Sequence, residues 1–142
     1  MNDKQKLIDH LKNDVYCRLG VSKIHGIGVI AIKDIPNGTR PFNNLSEEKD
    51  KIIHLTNSDL TDVDYEVKKI LTDFYGIGNN NDYDAYAYGP NYMNISFYLN
   101  HSLIPNITAI VDPKFNYYIY VTSSDIKKGE ELLLDYNIFN NN

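Results

Sequence analysis

Asn100-His101-Ser102-Leu103-Ile104-Pro105-Asn106, taken with Glu130-Glu131-Leu132-Leu133-Leu134-Asp135-Tyr136, is the stretch that decides how this chain is read. The first part is a polar cluster behind an apolar run, Ile95 to Leu99. The second sets an aspartate and a tyrosine at the end of an apolar strand. Neither has the composition of a plain core segment or of a plain loop. The expectation is that the two meet in space as walls of one small reaction chamber.

Working outward, Ile107 to Val111 and Tyr117 to Thr122 are strand candidates joined by a polar turn at Asp112 to Asn116, and Leu132 to Leu134 is a last short apolar run. Before the first box, Tyr83-Asp84-Ala85-Tyr86-Ala87-Tyr88 alternates like a strand and stops at Gly89-Pro90. Further upstream, Thr61 or Asp62 is predicted to cap a helix whose Val67, Ile70, Leu71 and Phe74 form one apolar stripe. Asp64 and Glu66 fall in its first turn, where the helix dipole favours acids, and Gly76 ends it. That helix reads as scaffold. Ile52, Ile53 and Leu55 suggest a short strand behind the solvated charge run Glu47 to Lys51.

At the start of the chain, Leu7, Ile8 and Leu11 have helical spacing, so residues 2 to 14 read as a short amphipathic helix or an arm. Val15 to Leu19 is predicted to be a strand ending at Gly20. Ser22-Lys23-Ile24-His25-Gly26-Ile27-Gly28 then leads into the apolar run Val29 to Ile32. Gly26-Ile27-Gly28 alone is either a hairpin bend or a place where another group approaches the backbone closely. It is not a dinucleotide fingerprint, which needs a third glycine opening a helix, whereas a strand and a turn follow here. Ile35-Pro36-Asn37-Gly38, with Pro second and Gly fourth, suits a type I turn. With Asp34 before it, the pattern Asp-Ile-x-x-Gly returns at Asp125-Ile126-Lys127-Lys128-Gly129, and two such strand-turn units suggest small sheets clasping a middle segment. Many short strands with one clear helix argue for a β-rich α+β domain.

Composition narrows the function classes. At 142 residues the chain is long enough for one self-supporting core, and 42% apolar with 23% charged residues is globular. Net charge is −5, the wrong sign for tracking phosphates and the right one for a basic peptide. Direct nucleic-acid binding is therefore not expected. No run approaches the ~20 apolar residues that cross a bilayer, and no long apolar run follows Met1 to Lys6 as in a secretory signal. Cys17 is the single cysteine, which favours a reducing, intracellular setting in cytoplasm or nucleus. With 12 Tyr, 5 Phe and no Trp, the aromatic surface pairs apolar rings with hydroxyls.

His10, His25, His54 and His101 have no ligand-like spacing among themselves or with Cys17, so no metal site is expected. A serine hydrolase would need Ser102, His101 and an acid brought together, and neighbouring residues generally point apart. Glu130 and Glu131 follow a turn at Gly129 and read as solvated, Glu131 being the better placed for an internal hydrogen bond.

Gly26-Ile27-Gly28, Asn100-His101-Ser102-x-x-Pro105-Asn106 and Glu130-Glu131-Leu132-x-x-Asp135-Tyr136, in this order, resemble the SET-domain protein lysine methyltransferases. The resemblance covers residues 15 to 137, leaving residues 1–14 as an N-terminal helix or arm and 15–142 as a SET-like catalytic domain. It implies a SET-domain, β-clip-like fold: α+β but mostly β, several small sheets, one main helix, and a C-terminal segment threaded in a knot-like way. Threaded chains are rare, and supplying two walls of one site is a reason for interlocking the boxes.

The same resemblance implies S-adenosyl-L-methionine as cofactor, held by His25, Gly26, Ile27 and Gly28 and by Asn100 and His101. Tyr83 is assigned to its amino-acid end, with Tyr86 and Tyr88 competing. It makes Tyr136 the catalytic residue, with Tyr98, Leu134 and Tyr136 lining the lysine channel. The substrate would be a basic protein or peptide, a histone tail being the first candidate. The alternative is a catalytically inactive SET-fold module that binds peptide. Two features depart from the family pattern: Leu134 stands where many members have Phe or Tyr, and the zinc-binding cysteine-rich flanks are absent. Compact members of this kind resemble viral and bacterial SET proteins, and a viral source would make a host nucleus the site of action. A homodimer partner, the N-terminal helix or the substrate itself is left to close the channel.

Overall fold

Residues 2–43, 52–75, 82–87, 89–111 and 118–140 are described by the structure, a computed structural model. They group into two units, one of residues 2–43, 94–111 and 118–135 and another of 52–75, 82–87, 89–93 and 136–140. The fold is α+β and mostly β.

The first unit opens with helix α1, Asp3–Asn13, so residues 2–14 adopt the helical reading. Asn2 caps it, its side chain accepting from the Gln5 N–H at 2.8 Å, and Gln5 bonds Asp9 one turn on. Leu7 and Leu11 lie on an exposed face of this helix. Strands β1 (Cys17–Val21) and β2 (Ile27–Ala31) form a hairpin, in register from Cys17↔Ala31 to Val21↔Ile27. Strand β1 starts two residues later than the sequence suggests and runs through Gly20, where it was expected to stop. Ile30 explains this: its Cγ1 lies 2.9 Å from where a Gly20 Cβ would be, so the glycine is a packing solution within the strand.

After a 3₁₀ segment, Ile95–Tyr98, come β5 (Asn100–His101), β6 (Ile107–Val111), β7 (Tyr118–Thr122) and β8 (Glu131–Leu134). These join the hairpin in a six-stranded sheet of order β1-β2-β8-β6-β7, with β5 also paired to β8. The last strand thus lies in the middle. It runs antiparallel to β2 (Val29↔Leu132, Ile30↔Glu131) and parallel to β5 and β6 (Asn100↔Leu133, His101↔Leu134, Ile107↔Leu134). Its alternation puts Leu132 and Leu134 into a core that also holds Val29, Ile35, Ile107 and Ile126.

The repeated Asp-Ile-x-x-Gly turns pair with each other. Ile35 and Ile126 form an antiparallel bridge, exchanging N–H···O bonds of 2.7 and 2.8 Å. Asp34 accepts from Lys128 N–H and Asp125 from Asn37 N–H, at 2.9 and 2.8 Å. Gly38 donates to Thr122 O, and Gly129 to Ala31 O. Each contact has its counterpart under a local two-fold, with both isoleucines 1% exposed at its centre.

The second unit contains β3 (Ile52–Leu55) paired antiparallel with β4 (Tyr83–Tyr86), and helix α2 (Tyr65–Phe74). The cap of α2 is Asp64, whose carboxylate accepts from Glu66 N–H at 2.9 Å; Thr61 and Asp62 lie before it. A 3₁₀ turn, Asn57–Leu60, closed by a Thr56/Asp59 capping box, ends just before the expected caps, with Thr61 as its C-cap. Of the predicted stripe, Leu71 is buried, Ile70 half-buried, and Val67 and Phe74 exposed. The expected roles of Gly76, Tyr88 and the 112–116 turn lie outside the described residues. Across the hairpin, His54 Nδ1 is 2.9 Å from Asp84 and Nε2 3.1 Å from Asp82. Hydrogen bonding to Asp84 and then Asp82 holds its pKa above the ordinary 6.5.

Two outcomes follow. Ile35→Ala or Ile126→Ala should cost about 2–5 kcal/mol in urea unfolding, as emptied core sites do. A raised folded-state pKa means that the His54 contribution is complete below the unfolded value and is lost as pH rises through the folded one. An NMR titration should place the His54 midpoint above 6.5, and His54→Gln should remove that component of the pH–stability curve.

Candidate active site

Three segments far apart in sequence converge in the first unit: the Ser22–Gly28 loop, the Asn100–Asn106 box and strand β8. The loop is curled around one hydroxyl. Ser22 Oγ accepts from Ile24 N–H (2.9 Å) and His25 N–H (3.1 Å), while Ser22 N–H donates to Gly26 O (2.8 Å). Short Ser side chains bond their own loop backbone readily, so this turn is local chemistry.

Asn100, buried at the start of β5, fastens the loop from below. Its Nδ2 donates to His25 O (3.0 Å), Ile27 O (3.2 Å) and Glu131 Oε2 (3.0 Å). Glu131 also accepts the Ser22 hydroxyl, at 2.8 Å to Oε1 and 3.0 Å to Oε2. Gly28 is what lets the carboxylate in. A Cβ there would lie 2.5 Å from Glu131 Oε2 and 3.1 Å from Asn100 Nδ2. Of the two readings open for Gly26-Ile27-Gly28, close approach therefore applies to Gly28, and Gly26 (φ 50°) turns the loop.

At the other end of the box, Asn106 imitates a neighbouring strand. Its Oδ1 accepts from Leu133 N–H at 2.7 Å, its Nδ2 donates to Glu131 O at 3.0 Å, and its own N–H donates to Leu133 O at 3.1 Å. Ser102 N–H adds a bond to Leu134 O. The Ser102 hydroxyl is turned back on Ile104 N–H at 3.0 Å. Asp135 Oδ1 stands 3.8 Å from His101 Nδ1, so an acid does lie beside the histidine while the serine oxygen is engaged within its own loop.

The structure thus brings His25, Gly26, Ile27, Gly28, Asn100, His101 and Leu134 into one neighbourhood. Tyr98 ends the 3₁₀ segment leading into Asn100 and is half-buried, and Leu134 is 2% exposed. Tyr83 and Tyr136 belong to the second unit. Tyr83 Oη is 3.2 Å from Thr72 Oγ1 on α2, and Tyr136, 44% exposed, opens the 3₁₀ segment Tyr136–Asn140. Ser22 was missed as a site residue. Its signal was a short hydroxyl side chain followed by residues free to donate back to it. Burial pushes the Cys17 thiol up to about 12, which makes it a core residue and no nucleophile. Among the described residues, no group of three or more His, Cys, Asp or Glu is disposed to hold a metal, and no helix is long and apolar enough to cross a membrane.

A model of the SET domain matches residues 26–137. The chain belongs to the SET-domain family. Its fold is that of a crystal structure of a candidate histone methyltransferase from Plasmodium falciparum, with TM-score 0.55 and 20% identity over 87% of this chain and 94% of that one. It is also that of a humanized mutant of the Chaetomium thermophilum Polycomb Repressive Complex 2 bound to the inhibitor GSK126. There the TM-score is 0.60 and the identity 19%, over 99% of this chain and 19% of that one. No curated protein sequence matches it.

The Ser22–Asn100–Glu131 contacts leave no room at Gly28. Gly28→Ala should therefore lower stability by roughly 1–3 kcal/mol, as overpacked sites do, measured by chemical unfolding. A variant as stable as wild type would show that the carboxylate does not sit against this residue.

Proposed function

We propose that this protein transfers methyl groups from S-adenosylmethionine to the side-chain amine of a lysine in another protein. Family membership supports this, and one observation carries it. Asn100 holds the His25 and Ile27 carbonyls at 3.0 and 3.2 Å, fixing a loop whose outer side is open. A Cβ on Gly26 would meet nothing within 4 Å, and Ile24 and Ile27 flank it at 54% and 53% exposure. A rigid, bare stretch of backbone with apolar edges fits a ligand that pairs a flat base with polar rims. His25, Gly26, Ile27 and Gly28, with Asn100 and His101, would hold that cofactor, and Tyr83 its amino-acid end. When bound, it supplies a methyl group activated by a sulfonium.

The rest is work for side chains. Lysine attacks only as the free amine, and its pKa in water is near ~10.4. In this reading Tyr98, Leu134 and Tyr136 would give the channel apolar walls that disfavour the ammonium and exclude water. The Tyr136 hydroxyl is assigned to the reacting amine, where it aligns the attack. Leu134 brings no hydroxyl to hold a water in the channel, which leaves space for a second and third methyl. The net charge of −5 suits a basic substrate, and a histone tail is the first candidate within cytoplasm or nucleus. A homodimer partner, helix α1 or the substrate itself would complete the channel.

Transfer of radiolabelled methyl groups to core histones and to a cell lysate tests this reading. Tyr136→Phe should fall by roughly ten- to hundredfold, the worth of a hydrogen bond to a charged or reacting group, with its circular dichroism unchanged. Equal labelling by the variant would remove Tyr136 from the mechanism. Mass spectrometry under excess enzyme should find di- or trimethyl-lysine, and monomethyl product alone would overturn the role given to Leu134. No labelling and no calorimetric binding of S-adenosylmethionine would favour an inactive peptide-binding module.

A further inference from the structure

We propose that Ser22 and Glu131 are positioning residues for the cofactor, holding the His25–Gly28 backbone in its receptive shape. This rests on the methyltransferase reading and assigns to that site two residues that touch no reacting atom.

The argument begins with donors and acceptors. Two donors, the Asn100 amide and the Ser22 hydroxyl, converge on one carboxylate, at 3.0 Å and at 2.8 and 3.0 Å. A carboxylate is the side-chain group that only accepts, so it satisfies both together. The Ser22 oxygen in turn accepts from Ile24 and His25 N–H. A hydroxyl that donates to a charged acceptor becomes a better acceptor itself, so the carboxylate strengthens the two bonds that curl the loop. Asn100 then holds the loop from its carbonyl side at His25 and Ile27. Residue 25 is thereby fixed through both its N–H and its C=O, and both fixings lead to Glu131.

Glu131 arrives on β8, opposite Ile30. The receptive loop is therefore complete only once the last strand is seated. An amide at position 131 cannot replace the acid. With its oxygen toward Asn100, its NH₂ faces a Ser22 oxygen that already accepts two bonds.

Calorimetry with S-adenosylmethionine, using the full chain, decides the matter. Ser22→Ala and Glu131→Gln should each weaken binding roughly tenfold or more, the worth of charge-assisted bonds. Ser22→Thr should restore it. Ile35→Ala, which loses stability at the turn clasp away from the loop, should keep affinity within about twofold, as distant sites do. In turnover, the cofactor KM should rise while the peptide KM stays unchanged, and amide exchange at Ile24 and His25 should quicken in both loop variants. Wild-type affinity in Ser22→Ala and Glu131→Gln overturns the proposal, as does an equal loss in Ile35→Ala. If wild type itself binds no S-adenosylmethionine, the methyltransferase reading falls and this assignment with it. Unchanged variants beside a binding wild type sink the assignment alone.

Discussion

A strand that is last in the chain and central in its sheet constrains everything else. Strand β8 pairs with β2 at Glu131 and Leu132, with β5 at Leu133 and Leu134, and with β6 at Leu134. Its place is a slot between strands drawn from earlier in the chain. The contacts that fill it span most of the chain, an arrangement that delays the reward for loop closure. Where no regular strand runs alongside, Asn106 supplies a ladder from its side chain and backbone. The asparagine that closes the first box is thus a substitute for a strand edge, with a structural reason for its place.

The paired turns explain how the slot is aimed. Asp34 and Asp125 each accept a backbone N–H from the opposite turn, and Ile35 and Ile126 bury their side chains at the same point. One turn follows β2 and the other precedes β8. Tying them together brings the start of β8 to the edge of β2 before any pairing within the slot is needed. Gly129 N–H, bonded to Ala31 O, is followed directly by Ala31 N–H bonded to Glu130 O. The ladder between β2 and β8 is a continuation of the clasp.

How much of this was legible follows from where each feature stores its information. Strands β6, β7 and β8 were readable because alternation and apolar runs are local. The convergence of the two boxes was readable because their residue types fit neither core nor loop. The two-fold clasp was only half legible: Asp-Ile-x-x-Gly repeats visibly, but that the copies pair is a tertiary fact. The cap of α2 was misplaced because Thr61, Asp62 and Asp64 are all competent caps, and the 3₁₀ turn ending at Leu60 decides among them. The end predicted for β1 failed at Gly20 because a glycine marks a turn and a close approach with the same letter. Roles for Tyr83 and Tyr136 rest on the resemblance, since both belong to the second unit.

Why a polar brace should stand where apolar packing would serve is a question of register. In β8 the side chains alternate, Leu132 and Leu134 facing the core and Glu131 and Leu133 the other face. An apolar interface around Gly28 would tolerate a slip of one residue, since leucines on either side fill similar volumes. The brace does not. A slip that brings Leu132 to this place would set a leucine against the Asn100 amide and the Ser22 hydroxyl, stranding their donors in a part-buried site. Buried polar groups often contribute less to stability than to uniqueness, and register is the best attested case. Here the register also fixes the backbone of the loop above it, so the residue that selects one sheet alignment selects the shape of the candidate cofactor site as well.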